Sequence, residues 1–135
     1  MKARALLSTL APWLPIALTG VGAAWLRYDL IEQPALADLC ASAQAPAWCP
    51  LRQALVMGFL HEAYGVAAIV VTALALLCRT RALACLAAML GAFALLLYNV
   101  EPGALALLVS CLRLVHLQGA ANEITPARLP ESARR

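Results

Sequence analysis

Charge is what this sequence has least of. Only 13% of its 135 residues are Asp, Glu, Lys or Arg, against roughly 25% in a soluble domain. So few polar side chains cannot coat a globule, and lipid is the expected solvent. Lysine occurs once against nine arginines, and no basic cluster is interleaved with aromatic residues. That excludes a nucleic-acid surface. There is no glycine-rich phosphate loop, no Ser/His/Asp set and no paired acids. The stretch "GFLHEAYG" has Gly65 and Val66 at the fourth and fifth positions after His61. It is therefore not HExxH, and no metal set is expected. No internal repeat is evident.

What is present is apolar: 64% hydrophobic residues and a mean hydropathy of +0.82. The Ala, Leu and Arg bias suits a GC-rich bacterial genome. The length suits one compact domain rather than an anchor plus a soluble enzyme. Four apolar runs stand out, at about residues 5–26, 54–78, 82–100 and 103–117. A helix crossing about 30 Å of hydrocarbon needs roughly 20 residues. The first three runs meet that. The fourth is short and carries Arg113, so it spans if Arg113 snorkels to the interface and is re-entrant otherwise. The runs do not alternate, and lipid leaves an unpaired backbone no partner, so helices are expected rather than a barrel. Pro50 and Pro102 open the second and fourth runs, where a missing N–H costs little. The first run follows Lys2 and Arg4 like a signal peptide. Its long core and the continuation Trp25-Leu26-Arg27-Tyr28 read instead as a retained span with an interfacial anchor. The expected fold is thus an all-α, integral membrane four-helix bundle over residues 1–118. It has an outward loop between helices 1 and 2, in which "QPALADLC" reads as a short helix with Pro34 near its start, and a tail over 119–135.

Basic residues set the orientation. Lys2, Arg4, Arg79, Arg81, Arg113, Arg128, Arg134 and Arg135 fall on one side, and Arg27 and Arg52 on the other. Both termini are therefore expected in the cytoplasm, in a bacterial inner membrane. Cys40 and Cys49 then lie in the outward loop, where an oxidising compartment favours a disulfide between them. Cys78, Cys85 and Cys111 read as packing residues.

His61 and Glu62 are the anomaly. About 11 to 12 Å of helix separates them from the start of the second run, and an ionised acid at a span's centre costs roughly 2.5 to 3.5 kcal/mol. A polar intramembrane cluster of His61, Glu62, Tyr64, Tyr98, Asn99 and Arg27 is the expected remedy. It would serve as hydrogen-bonded bundle glue, as a pocket for a quinone, lipid head group or proton, or as contact with a partner. A haem within one chain is disfavoured because His61 and His116, the two histidines, fall in opposite leaflets. Four helices with an outward cysteine pair resemble, in outline, the bacterial thiol-oxidase and vitamin K epoxide reductase membrane proteins. Those use a CxxC pair and a second pair that relays electrons. Neither occurs here, so the Cys40–Cys49 bridge reads as structural.

The sequence thus predicts a non-catalytic, small membrane protein without a resident cofactor. It would be an accessory or stabilising subunit that meets a membrane-protein partner, or further copies of itself, within the lipid bilayer. The alternative is a small quinone- or redox-linked protein using the His61/Glu62 pocket.

Overall fold

The computed structural model describes residue 7 and residues 9–124, the side chains of 122–124 excepted. Lys2, Arg4, the first run's start at Ala5, and the tail beyond Ile124 with Arg128, Arg134 and Arg135 lie outside the described residues. Among the described residues there are six α-helices and no strand. They are α1 (Trp13–Trp25), α2 (Pro34–Ala41), α3 (Cys49–Leu60), α4 (Ala63–Leu77), α5 (Arg81–Leu96) and α6 (Val100–Ile124). A π-helical turn, Leu26–Ile31, prolongs α1. Alanine and leucine, which lose little in a helix, fill most of these segments. Pro34 and Pro50 sit in the first two positions of α2 and α3, where the backbone N–H has no intrahelical acceptor to lose.

Short turns fold α4, α5 and α6 into successive hairpins, and α1 lies against α5. The molecule therefore has two distinct ends. At one, Arg27 reaches the Leu96 carbonyl, and Arg52 reaches the carbonyls of Leu30 and Ile31. The Cys40–Cys49 disulfide lies on the segment between those partners, so this is the disulfide end. At the other, Arg81 donates to Leu117 O, Arg113 to Leu76 O and Gln118 to Thr9 O. This is the arginine end.

The interior is built from small residues. Ala23, Ala68, Ala75, Ala84, Ala87, Ala88, Ala94 and Ala106 are buried, and the large side chains fully enclosed with them are Leu97 and Leu114. Large apolar residues point outward instead, among them Leu105, Leu108, Leu112 and Val115 on α6. Glycine permits the close approach beneath them. A Cβ placed on Gly91 would stand 2.5 Å from the Leu107 backbone nitrogen, and one on Gly103 would strike the Leu95 backbone. Thr72 adds a polar tie. It donates back to Ala68 O at 2.7 Å and meets the Ser110 hydroxyl at 3.2 Å, joining α4 to α6 inside the core.

These observations correct the expected four-helix membrane bundle. There are six helices rather than four, and by length and composition one of them qualifies to cross a membrane: Val100–Ala121, 22 residues. It comes from the run that looked shortest. The helix continues through Arg113, a good helix former, whose guanidinium donates to Leu76 O of α4. The second run is broken. Cys49–Leu60 and Ala63–Leu77 would pass together, but they meet at 64° across His61 and Glu62. The third run yields a helix of 16 residues, about 24 Å long at 1.5 Å per residue, which falls short of a full span. In the first, a turn at Ala11–Pro12 separates the helical residues Leu7, Thr9 and Leu10 from α1, which starts at Trp13. The short helix expected over residues 33–40 is present as α2, Pro34–Ala41, and the π turn precedes it in the same segment.

The α5–α6 contact generates a direct prediction. Gly91→Ala and Gly103→Ala each put a methyl group against backbone that cannot rotate away. Each should cost about 1 to 3 kcal/mol, read as a lower thermal or denaturant midpoint in detergent. Gly20→Ala, on α1 with open space around it, is the control and should be near neutral or mildly stabilising.

Candidate functional site

The chemically richest region is the junction of α1, α3 and the α5–α6 turn at the disulfide end. Its geometry begins with the π turn. Residues five apart lie on different sides of an α-helix, which has 3.6 residues per turn. In the π turn the Glu32 N–H instead reaches Arg27 O at 2.9 Å, so the two side chains come onto one side. Arg27 Nε then donates to Glu32 Oε1 at 2.8 Å. The other Arg27 donor reaches Leu96 O at 3.2 Å and caps the end of α5.

Tyr98 completes the cluster. It turns the chain from α5 into α6 with φ 69°, a left-handed conformation that costs a bulky residue energy. That conformation brings its side chain back to the cluster. The hydroxyl donates to Glu32, the ring lies 4.2 Å beneath the Arg27 guanidinium, and Phe59 of α3 packs 5.2 Å from the ring centre. Arg27 also lies 5.5 Å from the Tyr28 ring centroid. Cation, carboxylate and phenol thus link two segments distant in sequence, and Phe59 joins α3 as a third.

The electrostatics fix the protonation states. The Tyr98 hydroxyl, and then the Arg27 guanidinium, hold the Glu32 carboxyl below its ordinary range. The bond to Glu32 raises the Tyr98 phenol and strengthens the charge on Arg27. None of the three is thereby poised to exchange a proton near neutrality, as a general acid or base must be. The arrangement suits an ionic staple, not a reaction centre.

The predicted polar residues separate in the structure. Arg27 and Tyr98 come together, with Glu32 between them. His61 and Glu62 stand apart, exposed at the corner between α3 and α4. The His61 Nδ1 lies 2.9 Å from Met57 O, and Glu62 takes φ 54°. Tyr64 folds back over Gly58, packs edge-on against Phe93 at 5.2 Å and points its hydroxyl to Leu55 O. Asn99 is buried beside Gly65, and its Nδ2 has no hydrogen-bond partner. Sequence reasoning missed Glu32, Phe59 and the Thr72–Ser110 pair. Thr72 and Ser110, isolated hydroxyls within apolar runs, were the readable signal.

Cys40 and Cys49 are joined, tying the end of α2 to the start of α3 across a separation of 9 residues. They border a hollow of about 440 Å³ with Pro46, Pro50, Arg52 and Gln53. This hollow does not include His61 or Glu62. Among the described residues no three His, Cys, Asp or Glu side chains converge as a metal set. No protein-family model matches the chain, and neither the curated proteins nor the solved structures give a match.

Two predictions follow from this region's contacts. Glu32 binds its proton more weakly folded than unfolded, so its stabilising effect is complete above its ordinary value of 4.5 and fades as the pH falls through the lowered one. Stability of the wild type, followed by denaturant titration, should therefore decline below that value. Glu32→Gln should flatten this part of the profile, and Tyr98→Phe should lessen it. Replacing Cys40 and Cys49 together by serine frees a short loop and should cost about 2 to 3 kcal/mol. Addition of reductant to the wild type should reproduce that loss.

Proposed function

We propose that this chain is a small membrane protein without a reaction centre of its own. It acts as an accessory, stabilising subunit of a larger complex in a bacterial plasma membrane. The observation that carries this reading is the inverted packing: alanine and glycine inside, leucine and valine outside. The core helix of a soluble protein hides its apolar residues, whereas only 22% of the Val100–Ala121 window is buried. In lipid, burial of large apolar side chains gains little. Helices associate there through small residues and shared hydroxyl bonds, as at Gly91, Gly103 and Thr72–Ser110. Helix α6 provides the crossing, and its outward leucines provide the surface on which a partner helix rests.

The disulfide end faces the oxidising side and the arginine end the cytoplasm. Support comes from the bridge at one end and from Arg79, Arg81 and Arg113 at or near the other, as basic residues on the cytoplasmic side require. The C-terminal end of α6 is then cytoplasmic. The quinone-linked alternative is less well supported, because His61 and Glu62 are exposed at a corner rather than gathered around a pocket.

Two measurements test the proposal. The chain should stay with membranes through an alkaline carbonate wash, and recovery in the wash would end the reading. A tagged chain extracted in mild detergent should bring down one larger membrane partner in fixed stoichiometry. Leu108→Ala with Leu112→Ala keeps the helix apolar but removes the outward contact, and should lower partner recovery about tenfold, as for a loss near 1.4 kcal/mol. Recovery of an isolated chain carrying a quinone or chromophore would favour the alternative.

A further inference from the structure

Charge is divided unevenly between the two ends. The acids with described side chains are Asp29, Glu32, Asp38, Glu62 and Glu101. All belong to the disulfide-end segments, where Arg27 already pairs with Glu32 and Arg52 is occupied by two backbone carbonyls. At the arginine end, Arg79, Arg81 and Arg113 have no acidic partner among the described residues. Arg81 and Arg113 share one seam. Arg113 reaches from α6 to Leu76 O at 3.3 Å, and Arg81 reaches from the start of α5 to Leu117 O, one turn beyond Arg113, at 3.3 Å. Each guanidinium thus spends one donor on a carbonyl and keeps others free. Arg113 is also half-buried, and its Nε is enclosed without an acceptor, so its charge is partly stripped of water and uncompensated. Beside the seam, at the end of α4, Leu76 and Leu77 are exposed, Leu77 to 80%.

Resting on the membrane reading above, we propose that the seam between the α4–α5 turn and α6 binds the phosphate of an anionic phospholipid headgroup. Planar guanidinium groups engage phosphate oxygens through paired, charge-assisted hydrogen bonds. A diester phosphate there compensates the arginines at the depth where Leu76 and Leu77 meet acyl chain. A soluble phosphate would satisfy the same donors but leave those apolar side chains in water, which is why the lipid is the occupant. Basic sites between helices on the cytoplasmic side have this general chemistry.

The full-length protein, reconstituted into phosphatidylcholine vesicles with and without phosphatidylglycerol, provides the test. Native mass spectrometry after gentle extraction should find phosphatidylglycerol retained in preference to phosphatidylcholine. Arg81→Gln with Arg113→Gln should abolish the preference while the chain still inserts into both vesicles and keeps its helical circular dichroism. Because Arg113 also supports the fold, Arg79→Gln is the second variant. Its exposed side chain makes no described contact, and its loss should weaken the preference about five-fold. Equal retention of phosphatidylglycerol by the wild type and all variants would overturn the site. Equal thermal stabilisation by inorganic phosphate would overturn the lipid as occupant. Failure of the wild type to enter either vesicle would overturn the membrane reading itself, independently of the arginines.

Discussion

The architecture depends on how closely α5 and α6 approach. Gly91 lies against the Leu107 backbone and Gly103 against that of Leu95, so the two helices touch main chain to main chain at two levels. At that separation small residues dominate the interior, with Ala84, Ala87, Ala88, Ala94 and Ala106 buried and Leu97 and Leu114 the large side chains fully enclosed among them. Most other large side chains are left partly or wholly outside. Exposed leucine over an alanine core is therefore a consequence of the helix spacing. Contiguous apolar patches of this kind are costly in water, so one constraint links a glycine in α5 to the character of the surface.

The same approach determines the turn that joins the two helices. With Gly103 pressed on Leu95, the chain must reverse within Leu97–Asn99, and Tyr98 takes the left-handed conformation to do so. That conformation costs roughly 1 to 2 kcal/mol for a residue with a Cβ. Cation–π contact with Arg27, worth about 1 kcal/mol or less at an exposed site, acts against the cost, and so does the bond to Glu32. The terms are of the same size, so the staple holds the turn without greatly stabilising the whole. Its larger effect is geometric. It fixes the end of α1, the tip of α3 and the α5–α6 turn relative to one another, and Arg52 and the disulfide continue that fixation outward to α2.

The sequence makes helices legible, and so apolar a chain leads to the expectation of lipid as its solvent, with which the single candidate crossing helix among the described residues is consistent. The pairing of Cys40 with Cys49 follows from their place outside the apolar runs. What it conceals is where the runs break. Hydropathy is blind to backbone conformation, so Ala54–Cys78 reads as a continuous span although the chain turns sharply at Glu62. It also penalises Arg113, one of whose donors reaches a carbonyl on a neighbouring helix that no local window contains. Glu32 was invisible as a partner of Arg27 because a five-residue spacing signals contact only in a π turn. Nothing in Leu26–Ile31 announces one. Asn99 is a more instructive case: beside Tyr98 it is the residue type that tolerates left-handed backbone, yet Tyr98 adopts it, because Tyr98 has side-chain partners and Asn99 is held in the core.

The break at His61 and Glu62 is the cheaper of two solutions to one problem. An unbroken helix would carry both side chains into the packed interior or the hydrocarbon. There an ionised glutamate costs roughly 2.5 to 3.5 kcal/mol near a span's centre, and no arginine stands close enough to offset it, since Arg27 is committed to Glu32. Breaking the helix costs about 1 to 2 kcal/mol for the left-handed Glu62. Most of the backbone bonds at the break are recovered, with the His61 N–H on Met57 O, the Glu62 N–H on Phe59 O and the Val66 N–H on Glu62 O. The bend also lets Tyr64 cover Gly58 and meet Phe93, regaining apolar contact. The comparison favours the corner, and it inverts the meaning of the polar pair. His61 and Glu62 mark where the chain leaves the apolar interior, and the groups that organise the disulfide end are the ones the π turn brings to Arg27.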